Sequence, residues 1–339
     1  MRLVTFIGPE GPPRAGALLG ETVIDFAAAA PLVIEESEGK RWDLLSLLMG
    51  DQDDVNLETA HDIVAAVVSM AGGSRDDHGQ AQIGEHLAGV LSIGGAAMLL
   101  PLNQVRLLAP LPRPSSLRDF YTFEQHVATA RKTRNLGVPP EWYRIPAFYF
   151  SNHGAICGPD AEILKPQCDA LDFELELACV IGREGRDIDE ADALSYIAGF
   201  TIMNDWSARD LQMQEVPIGL GPSKGKDFAT SLGPWLVTPD ELEMYADDDG
   251  RYSLTMIARI NGEEKTRGNA ALMHFSFAQI IAHASRDATL YPGDVLGSGT
   301  VGGGCLLELT GGFGPWLEPG DEVELEITGL GVLRNRISA

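Results

Sequence analysis

The run Leu171-Asp172-Phe173-Glu174-Leu175-Glu176-Leu177-Ala178 alternates strictly between apolar and acidic residues before its final alanine. Successive side chains of a β-strand point to opposite faces, so the run predicts a strand with apolar residues on one face and carboxylates on the other. Glu174 and Glu176 would then be same-face neighbours, about 7 Å apart at Cα. Carboxylates this close repel each other unless a cation or water separates them. The pattern predicts either an acidic site or the solvent face of an edge strand.

A further carboxylate, Asp205, lies where an apolar segment becomes polar, in Met203-Asn204-Asp205-Trp206-Ser207-Ala208-Arg209-Asp210-Leu211-Gln212. We predict a strand over 197–204 and a helical turn after it. A carboxylate at a strand end is typical of a residue facing a cleft. The same position also suits a helix cap, so both interpretations stay open here.

The segment Asp119-Phe120-Tyr121-Thr122-Phe123-Glu124-Gln125-His126 opens a predicted helix over 120–134. If residues 119–126 are helical, Asp119 and His126 are seven positions apart and share a face. The alternative for His126 is a structural histidine on the helix surface or in the core. Arg131, Lys132 and Arg134 would form a basic patch on the same helix.

The loop 221–230 contains two of the chain's six lysines, Lys224 and Lys226, on either side of Gly225. A lysine in such a loop either is solvated or points towards an anionic substrate.

The glycine-rich segment 297–304 precedes a predicted strand over 305–310. Its glycines would allow the backbone to approach a ligand closely, or they would form a flexible solvent loop. Glu308 interrupts the predicted strand, and a charge there is costly unless it is paired.

The chain divides at Ala109-Pro110-Leu111-Pro112-Arg113-Pro114-Ser115-Ser116, which predicts an extended linker. We therefore predict an N-terminal β-rich domain over 1–108, with a helix over 61–71, and a second domain over 117–339. In the second domain we predict strands over 171–181, 197–204, 254–260, 305–310 and 322–328, a helix over 270–285 and a hairpin turn at Asn261-Gly262. Strands dominate and no nucleotide-binding glycine motif is present, so the fold class is α+β and β-rich.

The net charge of −24 argues against binding to nucleic acid. No apolar run reaches the roughly 18 residues that span a membrane, and the N-terminus lacks a secretion signal. The four cysteines show no zinc-binding spacing and fit a reducing compartment. We therefore expect a cytoplasmic protein without nucleic-acid or membrane partners.

Taken together and in this order, these motifs resemble the fumarylacetoacetate hydrolase family over about residues 115–330. The Asn204–Asp210 string is the most specific of them. The resemblance implies a mixed β-roll catalytic domain at the C-terminal end and a smaller N-terminal β-domain.

The resemblance also implies roles for individual residues. It makes Asp119, Glu174, Glu176 and Asp205 the metal carboxylates, and it places Thr230 near the metal. His126 would be the catalytic base, with Glu308 as the acid that orients it. The implied substrate-binding or anion-stabilising residues are Tyr121, Arg209, Gln212, Lys226 and Thr300.

A set of four carboxylates favours a hard divalent ion, Mg²⁺ or Ca²⁺, with Mn²⁺ as a further candidate. The implied activity is hydrolysis of a carbon–carbon bond in a fumarylacetoacetate-like or acylpyruvate-like 1,3-diketo acid, in the catabolism of aromatic compounds. The alternatives are a keto-acid decarboxylase, isomerase or dehydratase on the same fold, or a non-catalytic metal-binding or ligand-binding protein. The resemblance also implies a homodimer.

Two segments depart from the pattern of the enzymes that act on fumarylacetoacetate itself. Met213-Gln214-Glu215-Val216 replaces an aromatic pair, and Tyr149-Phe150-Ser151-Asn152-His153-Gly154-Ala155 replaces a Tyr-His-Gly-Arg segment. The departures leave the carboxylates in place but put the exact substrate in doubt.

Overall fold

The structure, a computed structural model, describes residues 1–50, 52–72, 74–75, 81–82, 92–93, 95–219, 221–247 and 249–339. Within these ranges most strand residues belong to two sheets, and helices are a minority. The prediction of a β-rich α+β fold is confirmed.

A twelve-stranded sheet runs through the molecule and carries the candidate site. Its ten successively paired strands are, in sheet order, Phe148–Phe150, Ser116–Phe120, Asp294–Gly297, Leu175–Ile181, Ile197–Asn204, Thr230–Val237, Arg2–Ile7, Arg14–Leu19, Thr22–Asp25 and Leu99–Pro101. Ile156–Cys157 also pairs with Thr230–Val237, and Arg106–Leu107 pairs with Arg2–Ile7. The first hundred residues therefore extend the same sheet. The predicted division into two domains stays a prediction.

A five-stranded sheet packs against the long one. Its order is Glu162–Leu164, Gly331–Ser338, Glu322–Ile327, Thr255–Ile260 and Glu263–Asn269. The last two strands form the predicted hairpin: Asn261 and Gly262 have φ of 53° and 79°, the left-handed values that a tight hairpin turn requires. The short two-stranded ladders are Leu171–Asp172 with Ser207–Ala208, Gly185–Arg186 with Thr289–Leu290, Ser74–Arg75 with Ala81–Gln82, and Ser92–Ile93 with Ala96–Ala97.

Helices of the described residues lie beside the sheets and between strands. The α-helices are Phe26–Ala29, Leu44–Met49, Leu57–Met70, Glu124–Lys132, Arg209–Glu215, Phe277–Ala284 and Leu306–Leu309. The 3₁₀ helices are Ala30–Leu32, Leu102–Gln104, Pro140–Tyr143, Ala193–Tyr196, Val216–Ile218, Pro239–Tyr245 and Ala270–Leu272. Side-chain caps fix the starts of four α-helices: Asp25 accepts from Ala28 N–H, Asp43 from Ser46 N–H and Asn56 from Thr59 N–H, and Ser276 forms a reciprocal capping box with Gln279.

Two apolar cores cover the two faces of the long sheet. Leu175 and Leu177 point into the core shared with the five-stranded sheet, whereas Ala178 and Val180 point into a core shared with the first hundred residues. The strand Leu175–Ile181 is consequently buried on both faces and lies between two other strands. The edge-strand alternative for the acidic run is therefore wrong.

Four predicted elements differ from the structure. Residues 305–310 are not a strand, because Leu306–Leu309 forms a helical turn whose Leu306 and Leu307 N–H groups donate to Asp172 at 2.7 and 3.0 Å. The helix predicted from residue 120 begins at Glu124, because Ser116–Phe120 pairs as a strand with Asp294–Gly297.

The third difference concerns the run 171–181. It is interrupted at Phe173 and Glu174, between a two-residue ladder and the long strand. The predicted helix over 270–285 is likewise two separate elements, Ala270–Leu272 and Phe277–Ala284. None of the described helices is long and apolar enough to cross a membrane.

Candidate active site

Four buried carboxylates converge at one end of the long sheet. Asp119 comes from the strand Ser116–Phe120, Glu176 from Leu175–Ile181, Glu174 from just before that strand, and Asp205 from just after Ile197–Asn204. None of the four is more than 5% exposed. One oxygen from each lies within 4.8 Å of the others, so a single ion could contact all four.

The surroundings orient each carboxylate. Glu176 accepts from the Gly299 N–H at 3.0 Å and from the Thr300 hydroxyl at 3.3 Å. Asp205 accepts from the Tyr149 hydroxyl at 2.7 Å. The helix-cap alternative for Asp205 is wrong, because the next helix begins at Arg209 without a side-chain cap.

Charge repulsion inside the cluster is strong. Burial and the neighbouring Asp205 raise the pKa of Asp119 well above its usual range, and burial and Asp119 do the same for the pKa of Glu176. Burial also raises the pKa of Glu174, but Lys226 and Arg209 outweigh it and leave that pKa lowered. Glu174 is thus ionised, while Asp119 and Glu176 favour bound protons unless a cation replaces them.

The cluster fits a hard divalent cation. Asp119 Oδ1 and Asp205 Oδ1 are buried and lack a hydrogen-bond partner among the described residues. Buried oxygens are seldom left in this state, because an unmade hydrogen bond costs about 1–3 kcal/mol. Oxygen-only donors are the ligands that Mg²⁺, Ca²⁺ and Mn²⁺ prefer.

Two buried cations flank the carboxylates. Lys226 Nζ donates to Glu174 and, at 2.5 Å, to Asp205 Oδ2. Arg209 donates to Glu174 Oε1 at 2.8 Å, to Asp172 Oδ2 at 2.8 Å and to Gln212 Oε1 at 3.2 Å. Positive charge is therefore fixed beside the site before any substrate arrives.

A histidine–carboxylate pair lies on the other side of Glu174. His126 Nδ1 is 2.6 Å from Glu308 Oε1, and its Nε2 is 3.9 Å from Glu174 Oε1. The Tyr121 ring packs edge-on against the imidazole, 5.3 Å between centroids. Burial and the nearby Glu174 raise the pKa of Tyr121 to about 12, so its hydroxyl stays protonated.

A cavity of about 450 Å³ opens onto these groups. Its lining combines the polar groups described above with apolar side chains, among them Phe148, Met213, Val216 and Leu307. The predicted site residues that line it are Asp119, Tyr121, His126, Glu174, Glu176, Arg209, Gln212, Lys226 and Thr300. Asp205 and Glu308 lie behind this lining, in contact with Lys226 and His126. Thr230 is buried but does not line the cavity, and its N–H donates to Ala155 O.

Sequence reasoning missed Asp172 and Glu215 as functional residues. Asp172 joins Arg209 to the helix that carries Glu308. The Glu215 carboxylate accepts from the N–H groups of Ser223, Lys224 and Gly225 and thereby holds the loop that ends at Lys226. The acidic run itself marks Asp172, because Asp172 shares the predicted face of Glu174. No local signal marks Glu215.

Comparisons with known proteins identify the protein family that has this fold and this carboxylate-lined cavity. Residues 116–338 match the family described as fumarylacetoacetate (FAA) hydrolase C-terminal. The chain belongs to the fumarylacetoacetate hydrolase family.

Individual relatives carry several activities. The human protein named oxaloacetate tautomerase FAHD2A, mitochondrial, is 38% identical over 242 residues, covering 70% of this chain and 71% of its own. The crystal structure of 5-carboxymethyl-2-hydroxymuconate delta-isomerase from Mycobacterium smegmatis is 26% identical, with a TM-score of 0.63 over 100% of this chain and 99% of its own. Fumarylacetoacetate hydrolase from Exiguobacterium antarcticum is 25% identical, with a TM-score of 0.68 over 100% of both chains.

Proposed function

We propose that this chain is a metal-dependent enzyme that moves a proton at the carbon next to the keto group of a 2-oxo acid, interconverting its keto and enol forms. The observation that carries the proposal is the position of His126, held through Nδ1 by Glu308 at 2.6 Å with Nε2 towards the carboxylate cluster. The human relative named oxaloacetate tautomerase supports this reaction class.

The chain's own residues divide the chemistry. Glu308 accepts a hydrogen bond from the Nδ1–H group of His126. This leaves Nε2 without a proton, as the base that takes or returns the substrate proton. Lys226 and Arg209 supply positive charge for the substrate carboxylate and the developing enolate. A divalent ion held by Asp119, Glu174, Glu176 and Asp205 would supply Lewis-acid polarisation of the keto group.

Hydrolysis of a 1,3-diketo acid, the activity that the sequence predicts, is the second candidate. The cavity of about 450 Å³ supports it, because its volume leaves room for a diketo acid together with an attacking water. Here His126 would deprotonate the water, and the carbon–carbon bond would break to release an enolate that is then protonated. Both reactions need the same base and the same enolate stabilisation.

One Mg²⁺-loaded preparation should be assayed with oxaloacetate, following enol absorbance, and with a series of acylpyruvates, following loss of the diketone and formation of pyruvate. Tautomerisation predicts faster keto–enol exchange without pyruvate. Pyruvate from oxaloacetate would favour decarboxylation, and pyruvate from acylpyruvates would favour hydrolysis.

His126→Gln should lower the rate by about 10²–10⁴-fold, the usual contribution of a general base. His153→Gln, which changes an exposed histidine outside the cavity, is the matched control. Equal rates for wild type and His126→Gln would refute the role of the base. No turnover of any substrate would instead favour the non-catalytic ligand-binding alternative.

Assembly and cellular role are further proposals. We infer a homodimer in the cytoplasm that acts in the catabolism of aromatic compounds. Light scattering that gives the monomer mass of 36.4 kDa at micromolar concentration would contradict the dimer.

A further inference from the structure

Among the residues that the structure describes, a second group of metal-ligating side chains lies behind the catalytic histidine. It consists of His126, Cys305 and Glu308. Cys305 Sγ lies 3.6 Å from Glu308 Oε1 and 4.0 Å from His126 Nδ1, and the third edge, from Nδ1 to Oε1, is 2.6 Å. His126 is 4% exposed, Cys305 is 0% exposed, and the Glu308 side chain is 3% exposed.

These three distances approach the distances between ligand atoms in a tetrahedral zinc site. Bond lengths of about 2.0–2.3 Å place nitrogen, oxygen and sulfur ligands about 3.3–3.6 Å apart. The two edges to sulfur already lie within about 0.5 Å of that range. Only the Nδ1–Oε1 edge must open, by about 0.7 Å.

A second observation points to a ligand at the same place. Glu308 Oε2 is buried and has no hydrogen-bond partner within the described part of the chain. It is a fourth donor for an ion already bound through Oε1, in the bidentate manner that carboxylates adopt. A buried carboxylate oxygen without a partner is otherwise costly.

We propose that His126, Cys305 and Glu308 form a second metal site, for a thiophilic ion such as Zn²⁺, and that an ion in this site blocks the base. Binding releases the Cys305 thiol proton to water, and the ion takes the place of the Nδ1 proton, so that the one imidazole proton moves to Nε2. The thiolate and the Glu308 carboxylate together carry −2 and cancel the charge of the ion, which suits a buried position. Nε2 then holds a proton and accepts none.

The two sites differ in the ions that they select. Four carboxylates favour a hard ion such as Mg²⁺, whereas sulfur and imidazole nitrogen favour Zn²⁺ or Co²⁺. His126 lines the cavity and Cys305 and Glu308 lie behind it, so an ion that comes from the cavity must pass the imidazole to reach the second site. The same molecule would accordingly be activated by one class of metal and inhibited by the other.

The test uses Co²⁺ as the probe, added to the full chain with the carboxylate site saturated by Mg²⁺. We expect a near-ultraviolet thiolate-to-cobalt charge-transfer band that saturates on titration. Cys305→Ser should abolish the band, and Cys168→Ser, which changes a half-buried cysteine outside the group, should retain it. Because this readout needs no substrate, it stands apart from the proposed activity.

Two results would overturn the proposal: no band in the wild type at millimolar Co²⁺, or an equal band in Cys305→Ser. If Cys305→Ser fails to fold, Cys305→Ala is titrated in its place. Where turnover has been found, Zn²⁺ should inhibit each Cys305 variant at least roughly tenfold more weakly than the wild type, relative to its own zinc-free rate. Equal inhibition would exclude a blocking role.

Discussion

Removing the Glu215 carboxylate is predicted to loosen the loop that positions Lys226. Glu215 ends the helix Arg209–Glu215 and accepts from Ser223 N–H at 3.2 Å, Ser223 Oγ at 2.8 Å, Lys224 N–H at 2.6 Å and Gly225 N–H at 3.3 Å. Lys226 follows directly and reaches Glu174 and Asp205. Glu215→Ala deletes all four bonds and removes one carboxylate from the cavity lining, but it leaves Lys226, Arg209 and the four metal carboxylates unchanged.

The size of the effect follows from a comparable arrangement. A side chain that accepts backbone N–H groups at a helix start contributes about 0.5–2 kcal/mol. Glu215 is partly exposed and its charge is screened by solvent, so we expect it to stabilise the closed loop by about 1 kcal/mol. That corresponds to a roughly fivefold larger open fraction of the loop.

Hydrogen exchange at residues 223–225 measures this fraction directly. Protection of these amides should fall about fivefold in Glu215→Ala and stay unchanged in Gln214→Ala, an exposed neighbour on the same helix. If turnover depends on Lys226, the rate of the variant should fall by no more than the same factor. Equal protection in the wild type and Glu215→Ala at neutral pH would refute the reasoning.

Acid should reproduce the effect of the substitution. Burial raises the pKa of Glu215, but the hydrogen bonds from Ser223, Lys224 and Gly225 outweigh it and hold the pKa below the ordinary value of 4.5. A lowered folded-state pKa means that the stabilisation is complete above pH 4.5 and is lost as the pH falls through the folded value. The wild type should therefore approach the variant only below pH 4.5. A difference in protection that disappears at higher pH would contradict this assignment.

Three further predictions concern the carboxylate site. EDTA should lower the melting temperature, and Mg²⁺, Mn²⁺ or Ca²⁺ should restore it. A metal ion at a hundredfold excess over its dissociation constant should raise the free energy of unfolding by about 2.7 kcal/mol. Glu176→Gln should reduce this metal-induced shift in a thermal melt. Gly297→Ala should weaken metal binding measured by calorimetry, because its Cβ would lie 2.7 Å from Asp119 Oδ1 and 3.1 Å from Glu176 Oε2. Asp172→Asn should lower the free energy of unfolding by about 3–5 kcal/mol, because it leaves Arg209 with one fewer buried carboxylate. Urea unfolding measures this loss, and a loss below about 1 kcal/mol would contradict a stabilising role of the Asp172–Arg209 ion pair.

Local patterns predicted the parts of the site that depend on strand periodicity. The alternation around Glu174 placed Phe173, Leu175 and Leu177 in one core, where the structure has them. The strand end at Asn204 also came out correctly. These features depend on neighbours in sequence, which a single chain displays.

Long-range contacts account for most of what the sequence left out. Leu306–Leu309 has the composition of a strand, yet Asp172, more than 130 residues earlier, accepts from its first N–H groups and favours a helical turn. Asp119 lies in a strand that pairs with Phe148–Phe150 on one side and with Asp294–Gly297 on the other. The roles of individual site residues entered through the family resemblance, because spacing alone left an alternative open for each.

The sheet shared by the first hundred residues and the strands that carry the carboxylates has a practical consequence for expression. Leu232, Leu236 and Val295 pack in the same core as Leu3 and Ile63. A fragment starting at residue 117 would expose this apolar face and would lose the pairing of Arg2 and Leu3 with Val237 and Leu236. Bare apolar faces and open strand edges recruit other chains. We expect such a fragment to aggregate even though it keeps every carboxylate of the candidate site, so the first hundred residues would act as an intramolecular solubility partner of the rest of the chain.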